Sequence, residues 1–165
     1  MSANMNSARL LFYGAVEDED KLEQAIKEFE QIIASNPKME GVATTYIGSL
    51  IMLKGKHAFW PHKKVAFVNE GLEVMDKGLK IDPNNIESLF IYGSTCYYLP
   101  SFLGKSKLAK EKLRKLVEII DDDNIVLYDN KIMTNALTFV LEKIEVSDSD
   151  KVKINKYLTK LESRK

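Results

Sequence analysis

A chain of 165 residues, 45% of them apolar, is long enough to form one domain with a buried core. Basic and acidic residues number 24 each, so no overall charge favours nucleic acid or an anionic membrane, and an argument from charge has to be local. The single cysteine, Cys96, excludes an internal disulfide. Since the sequence has neither a secretory signal nor a membrane-spanning stretch, we expect a cytoplasmic protein without membrane insertion.

Apolar residues spaced three and four apart predict helices along the chain, and no segment has a β pattern. The helices come in pairs, and the first three pairs end at Pro37, Pro83 and Asp121. Ser147 gives an N-cap signal for the last helix. The predicted pairs cover about residues 6–37, 39–83 and 84–121, followed by C-terminal helices at about 126–145 and 148–164. The sequence therefore predicts a single all-α domain over residues 1–165.

One spacing recurs in the second helix of each of the first three pairs. A small residue is followed four positions later by a large one, and a proline or an aspartate ends the helix. The three copies are Ala25-x3-Phe29-x2-Ile32-x4-Pro37, Gly71-x3-Met75-x2-Gly78-x4-Pro83 and Ala109-x3-Leu113-x2-Leu116-x4-Asp121. This order resembles the tetratricopeptide repeat. The resemblance implies a right-handed stack of antiparallel helical hairpins, an α-solenoid of about three repeats with the C-terminal helix pair added.

Within the second and third pairs, the small residues of the two helices are farther apart in sequence than in the tetratricopeptide family. Gly48 and Gly71 are 23 positions apart, and Gly93 and Ala109 are 16 positions apart. Because a repeat of this kind has a very short turn inside each hairpin, we predict enlarged turns in the second and third repeats.

The two predicted turns hold the residues with the clearest binding chemistry. Residues 54–64 contain four lysines and no acid, and residues 97–107 add two more lysines. In a stack of hairpins successive turns emerge at one edge, which predicts a basic ridge with aromatic residues between the lysines. The candidate partner-binding residues are Phe59, Trp60, Lys63, Lys64, Tyr98, Phe102, Lys105 and Lys107. The alternative, which the usual packing of apolar loop residues favours, is that the aromatic side chains plug the hairpin ends and the lysines are merely solvated.

No motif predicts a catalytic, cofactor or metal site. The Gly-Lys-Ser at residues 104–106 lacks the earlier glycine that a phosphate-binding loop requires. His57 and His62 lack the further ligands that a metal needs, and we expect both to face solvent. Cys96 falls on an apolar stripe, which predicts a buried thiol.

These patterns favour binding over chemistry. The main hypothesis is a protein–protein interaction module that presents a helical groove and a basic, aromatic-containing edge to an acidic protein or peptide. Two alternatives remain open. One is a structural or assembly protein that self-associates, and the other is a small-ligand-binding protein or enzyme with a site between the two enlarged turns.

Overall fold

The computed structural model describes residues 4–164, and these residues form helices joined by short connections, without a strand. The helices are α1 (Met5–Glu17), α2 (Leu22–Ser35), α3 (Glu40–His57), α4 (Pro61–Ile81), α5 (Ile86–Tyr97), α6 (Ser106–Ile119), α7 (Asn130–Lys143) and α8 (Asp148–Glu162). Short 3-10 turns lie at Glu19–Lys21, Pro37–Met39, Ser101–Leu103 and Ile125–Leu127. The predicted all-α class is confirmed for this part of the chain.

The chain divides into two compact units, the first ending at Ser88 and the second beginning at Leu89. Helices α1 to α4 lie in the first unit, and α6 to α8 lie in the second. The right-handed stack of hairpins stays a prediction.

The core of the first unit is built around Tyr46 of α3, which is fully buried. Phe29 of α2 stacks on its ring with 4.6 Å between centroids, and Phe12 of α1 contacts it edge-on at 4.9 Å. Aromatic pairs in these geometries stabilise a core beyond the area they bury. Tyr46 therefore joins α1, α2 and α3 in one apolar cluster.

Helices α3 and α4 form a long antiparallel hairpin whose backbones lie unusually close. Glycines repeat every seven residues on the facing sides of the two helices, at Gly41, Gly48 and Gly55 in α3 and at Gly71 and Gly78 in α4. A Cβ atom at Gly48 would lie 2.6 Å from the carbonyl oxygen of Gly71, and one at Gly55 would lie 3.2 Å from the carbonyl oxygen of Lys64. Gly48 and Gly71 thus lie directly against each other across the hairpin. No side chain fits there without moving the helices apart.

The connection between α3 and α4 consists of residues 58–60 alone, so the enlarged turn predicted for the second hairpin is wrong. Gly55 does not end α3, because it packs against α4 instead, and α3 continues to His57. Pro61 supplies the first residue of α4, where its missing N–H is no disadvantage. Most of the 23 positions between Gly48 and Gly71 belong to the two helices, since α3 runs to His57 and α4 begins at Pro61.

The second unit has the longer connection. Residues 98–105 link α5 to α6, as predicted for the third hairpin. A Cβ atom at Gly93 of α5 would lie 2.5 Å from Cγ of Leu113 on α6, so the small residue again allows close packing. Ser147 caps α8 as predicted, because its Oγ accepts a hydrogen bond from the backbone N–H of Asp150 at 3.1 Å.

Candidate functional site

The end of the α3–α4 hairpin, residues 58–66, is called the hairpin tip here. Every residue from 59 to 66 is exposed, including 84% of Phe59 and 55% of Trp60. The two rings contact each other edge-on with 5.1 Å between centroids. Trp60 is the N-cap residue of α4, and its carbonyl oxygen accepts hydrogen bonds from the backbone N–H groups of Lys63 and Lys64. These bonds fix the backbone at the start of α4, so both aromatic residues directly precede a helix that carries two lysines in its first turn.

The α5–α6 connection holds the other predicted residues. Phe102 is 81% exposed and Tyr98 is 70% exposed. Lys105 is half-buried and directly precedes α6, whereas Lys107 is exposed in the first turn of that helix. Gly104 adopts a left-handed backbone conformation, with a φ of 67°, which lets the chain turn from the 3-10 helix into α6.

The interpretation of the aromatic residues as plugs is wrong for Phe59, Tyr98 and Phe102, because most of each side chain is in contact with solvent. Trp60 is also more than half exposed. A plug would bury its ring beneath the hairpin end, whereas α3 and α4 already close on each other through their glycines. The exposed rings are therefore left available for binding.

A cluster of rings on the second unit escaped the sequence analysis, and we call it the aromatic face. It comprises Phe90 and Tyr97 of α5, Tyr98 of the connection and Phe139 of α7. Phe139 lies at the centre, edge-on to the other three rings, with centroid distances between 5.4 and 5.9 Å. Phe90 is buried and Phe139 half-buried, whereas both tyrosines are exposed. The sequence signal that was missed is Phe139, which lies off the apolar stripe of its helix.

A second feature that the sequence analysis missed is a buried ionic cluster in the first unit. The guanidinium of Arg9 donates from Nε to Oε1 and from Nη2 to Oε2 of Glu87, both at 2.7 Å. The Tyr46 hydroxyl donates to the same Oε1 at 2.6 Å. Burial, together with the charge of Glu87, raises the pKa of Tyr46 well above its ordinary value. Burial likewise raises the pKa of the half-exposed Tyr13. Arg9 and Glu87 therefore neutralise each other's charge where most of both side chains is buried.

The structure also places the cysteine, the Gly-Lys-Ser segment and the two histidines. Cys96 is buried, as predicted, and residues 104–106 form the entry to α6. His62 is exposed as predicted, but Nε2 of His57 is buried at the end of α3, so the prediction is wrong for that histidine. Within residues 4–164, no three histidine, cysteine, aspartate or glutamate side chains are placed to hold a metal ion.

The two groups of candidate residues lie in different units. Phe59, Trp60, Lys63 and Lys64 belong to the first unit, whereas Tyr98, Phe102, Lys105 and Lys107 belong to the second. That they form one basic ridge stays a prediction.

No helix in the described part of the chain combines the length and the apolar character needed to cross a bilayer. Comparisons with models of protein families, with curated proteins and with solved structures found no significant match to the chain.

Proposed function

We propose that this chain is a protein-interaction scaffold that binds an acidic segment of a partner protein at the aromatic face. The proposal rests on one observation: two exposed tyrosines are held by edge contacts to Phe139, in a segment that also exposes Phe102. Tyrosine and phenylalanine are enriched in protein interfaces because a rigid ring buries a large area at a small cost in side-chain entropy.

The local charge supports an acidic partner. No acidic residue occurs between Glu87 and Glu111, and this stretch carries Lys105, Lys107 and Lys110. Lysines beside an aromatic contact attract acidic groups and speed association, whereas the rings supply most of the affinity. We therefore expect a partner segment with apolar side chains flanked by aspartate or glutamate. Since the contacts with Phe139 hold the two tyrosine rings before binding, these rings need little further ordering when the partner arrives.

The experiment is affinity capture from a cell extract with the purified chain, followed by measured affinities for each captured protein. Tyr98→Ala should weaken binding about 30-fold or more, the effect expected at an interfacial hot spot. Leu10→Ala, which removes an exposed apolar side chain in the first unit, is the matched control and should leave binding unchanged. Equal capture by the Tyr98→Ala and the unmodified chains would refute the proposal.

A further inference from the structure

The hairpin tip projects beyond the rest of the first unit. Lys54 forms an ion pair with Glu23 at 2.6 Å, near the start of α2, and Lys56 donates to the carbonyl oxygen of Val16 at 2.9 Å, near the end of α1. The α1–α2 turn therefore lies alongside residues 54–56 of α3. Residues 59–66 lie beyond the α1–α2 turn, and every one of them is exposed.

The projecting part is apolar at its end and basic at its sides. Phe59 and Trp60 occupy the turn itself, and Val65 adds a third exposed apolar side chain. Lys63 and Lys64 follow on the first turns of α4, and neither forms an ion pair with a residue of the range 4–164. No acidic residue occurs between Glu40 and Glu70, although the whole chain has no net charge. The positive charge is thus concentrated at this end of the hairpin.

The shape of the tip limits the partners that fit it. An aromatic anchor in a protein interface works when surrounding contacts exclude water from it, and such anchors sit near the centre of a large complementary surface. Here the rings stand at the exposed end of two helices, where the described residues of the first unit form no surrounding wall. A lipid surface deforms around a protruding side chain and needs no such wall. Tryptophan and phenylalanine favour the boundary between head groups and acyl chains, and lysines bind anionic head groups.

We infer that the hairpin tip docks the chain on an anionic lipid bilayer. Phe59 and Trp60 enter the interfacial layer, while Lys63 and Lys64 contact the negatively charged head groups. This is attachment to the surface through one turn, and the helices stay outside the hydrocarbon region. The hairpin tip and the aromatic face have no residue in common.

Trp60 is the only tryptophan of the chain and reports directly on its own surroundings. The test adds vesicles of phosphatidylcholine, or of phosphatidylcholine with about a third phosphatidylserine, and records Trp60 emission and the sedimented fraction. On the anionic vesicles we expect a blue shift of the emission, quenching by brominated acyl chains, and weaker binding as salt increases. On neutral vesicles binding should be much weaker.

Two variants separate the apolar and the ionic contribution. Phe59→Ala should weaken vesicle binding at least about tenfold, and it keeps the Trp60 reporter. Lys63→Gln with Lys64→Gln should weaken it about 25-fold, since each lysine near an anionic surface contributes about fivefold. The matched controls are Leu10→Ala and the pair Lys38→Gln with Lys80→Gln, which remove exposed groups elsewhere in the same unit and should leave binding unchanged. Because all these side chains are exposed, circular dichroism should confirm that every variant folds.

The inference is overturned if Trp60 emission does not respond to anionic vesicles, or if the tip variants bind as well as the controls. A Trp60 response to a synthetic polyglutamate peptide, without a response to vesicles, would also overturn it and would assign the tip to an acidic protein. None of these outcomes affects the test of the aromatic face, which uses Tyr98.

Discussion

The close approach of α3 and α4 predicts that one methyl group at Gly48 destabilises the protein. In Gly48→Ala the new Cβ would lie 2.6 Å from the carbonyl oxygen of Gly71 and 2.7 Å from the backbone nitrogen of Met75. Ordinary contacts of a Cβ atom are about 3.4 Å or longer. Because the opposing atoms belong to a helix backbone, rotation of a side chain cannot relieve the overlap, and the helices have to separate.

Two opposing effects set the size of the loss. Overpacking of a closely packed core costs about 1–3 kcal/mol, and a clash with backbone belongs at the upper end of that range. Alanine in place of glycine inside a helix returns about 1 kcal/mol. We therefore expect Gly48→Ala to lower the free energy of unfolding by about 2 kcal/mol, equivalent to a fall in Tm of about 4–8 °C.

The matched control is Gly14→Ala in α1. Its Cβ would meet only the side chain of Lys21, at 3.0 Å from Cδ, and that flexible chain can move aside. The control should raise stability by up to about 1 kcal/mol through helix propensity alone. Both variants are compared with the unmodified chain by chemical denaturation followed by circular dichroism. A Gly48→Ala protein as stable as the Gly14→Ala protein would refute the close packing of the hairpin.

Three further predictions concern the buried ionic cluster and the hairpin tip. Glu87→Gln should lower the free energy of unfolding by about 3 kcal/mol, because the Arg9 side chain is only 18% exposed and loses its counter-charge. An unchanged midpoint in chemical denaturation would contradict the pairing. Since the pKa of Tyr46 is raised in the folded state, its stabilising contribution is complete below about pH 10 and is lost as the pH rises further. A Tyr46→Phe protein should therefore show a shallower alkaline loss of stability than the unmodified chain does. Trp60→Ala should change the unfolding free energy by less than about 0.5 kcal/mol, because the ring is more than half exposed; a loss of about 3 kcal/mol or more would restore the interpretation of Trp60 as a plug.

Helix positions were predictable because apolar spacing and proline positions are local signals. Gly55 was predicted wrongly, because the sequence alone places it in a turn, whereas it lies within α3. A glycine next to lysines has the same local pattern whether it ends a helix or packs against another one. Only the partner helix, with the carbonyl oxygen of Lys64 facing Gly55, distinguishes the two cases.

Whether the candidate residues bind a partner stays a prediction. The choice of Phe59 and Phe102 depended on composition, namely aromatic residues beside lysines in an acid-free stretch. The aromatic face was not predictable in this way, because Phe90 and Phe139 come from separate helices and meet only after packing. The pairing of Arg9 with Glu87 was equally hidden, since no periodic pattern relates two residues 78 positions apart.

That separation in sequence has a consequence for the order of folding. The α3–α4 hairpin joins neighbouring segments through a three-residue connection, so the entropy lost on forming it is small. The salt bridge between Arg9 and Glu87 closes a far longer loop and becomes favourable only once α1, α3 and the start of α5 have assembled. In kinetic terms, substitutions along the glycines of the hairpin should slow refolding. Substitutions at Glu87 should mainly accelerate unfolding. The salt bridge of this carboxylate would then slow the unfolding of the first unit.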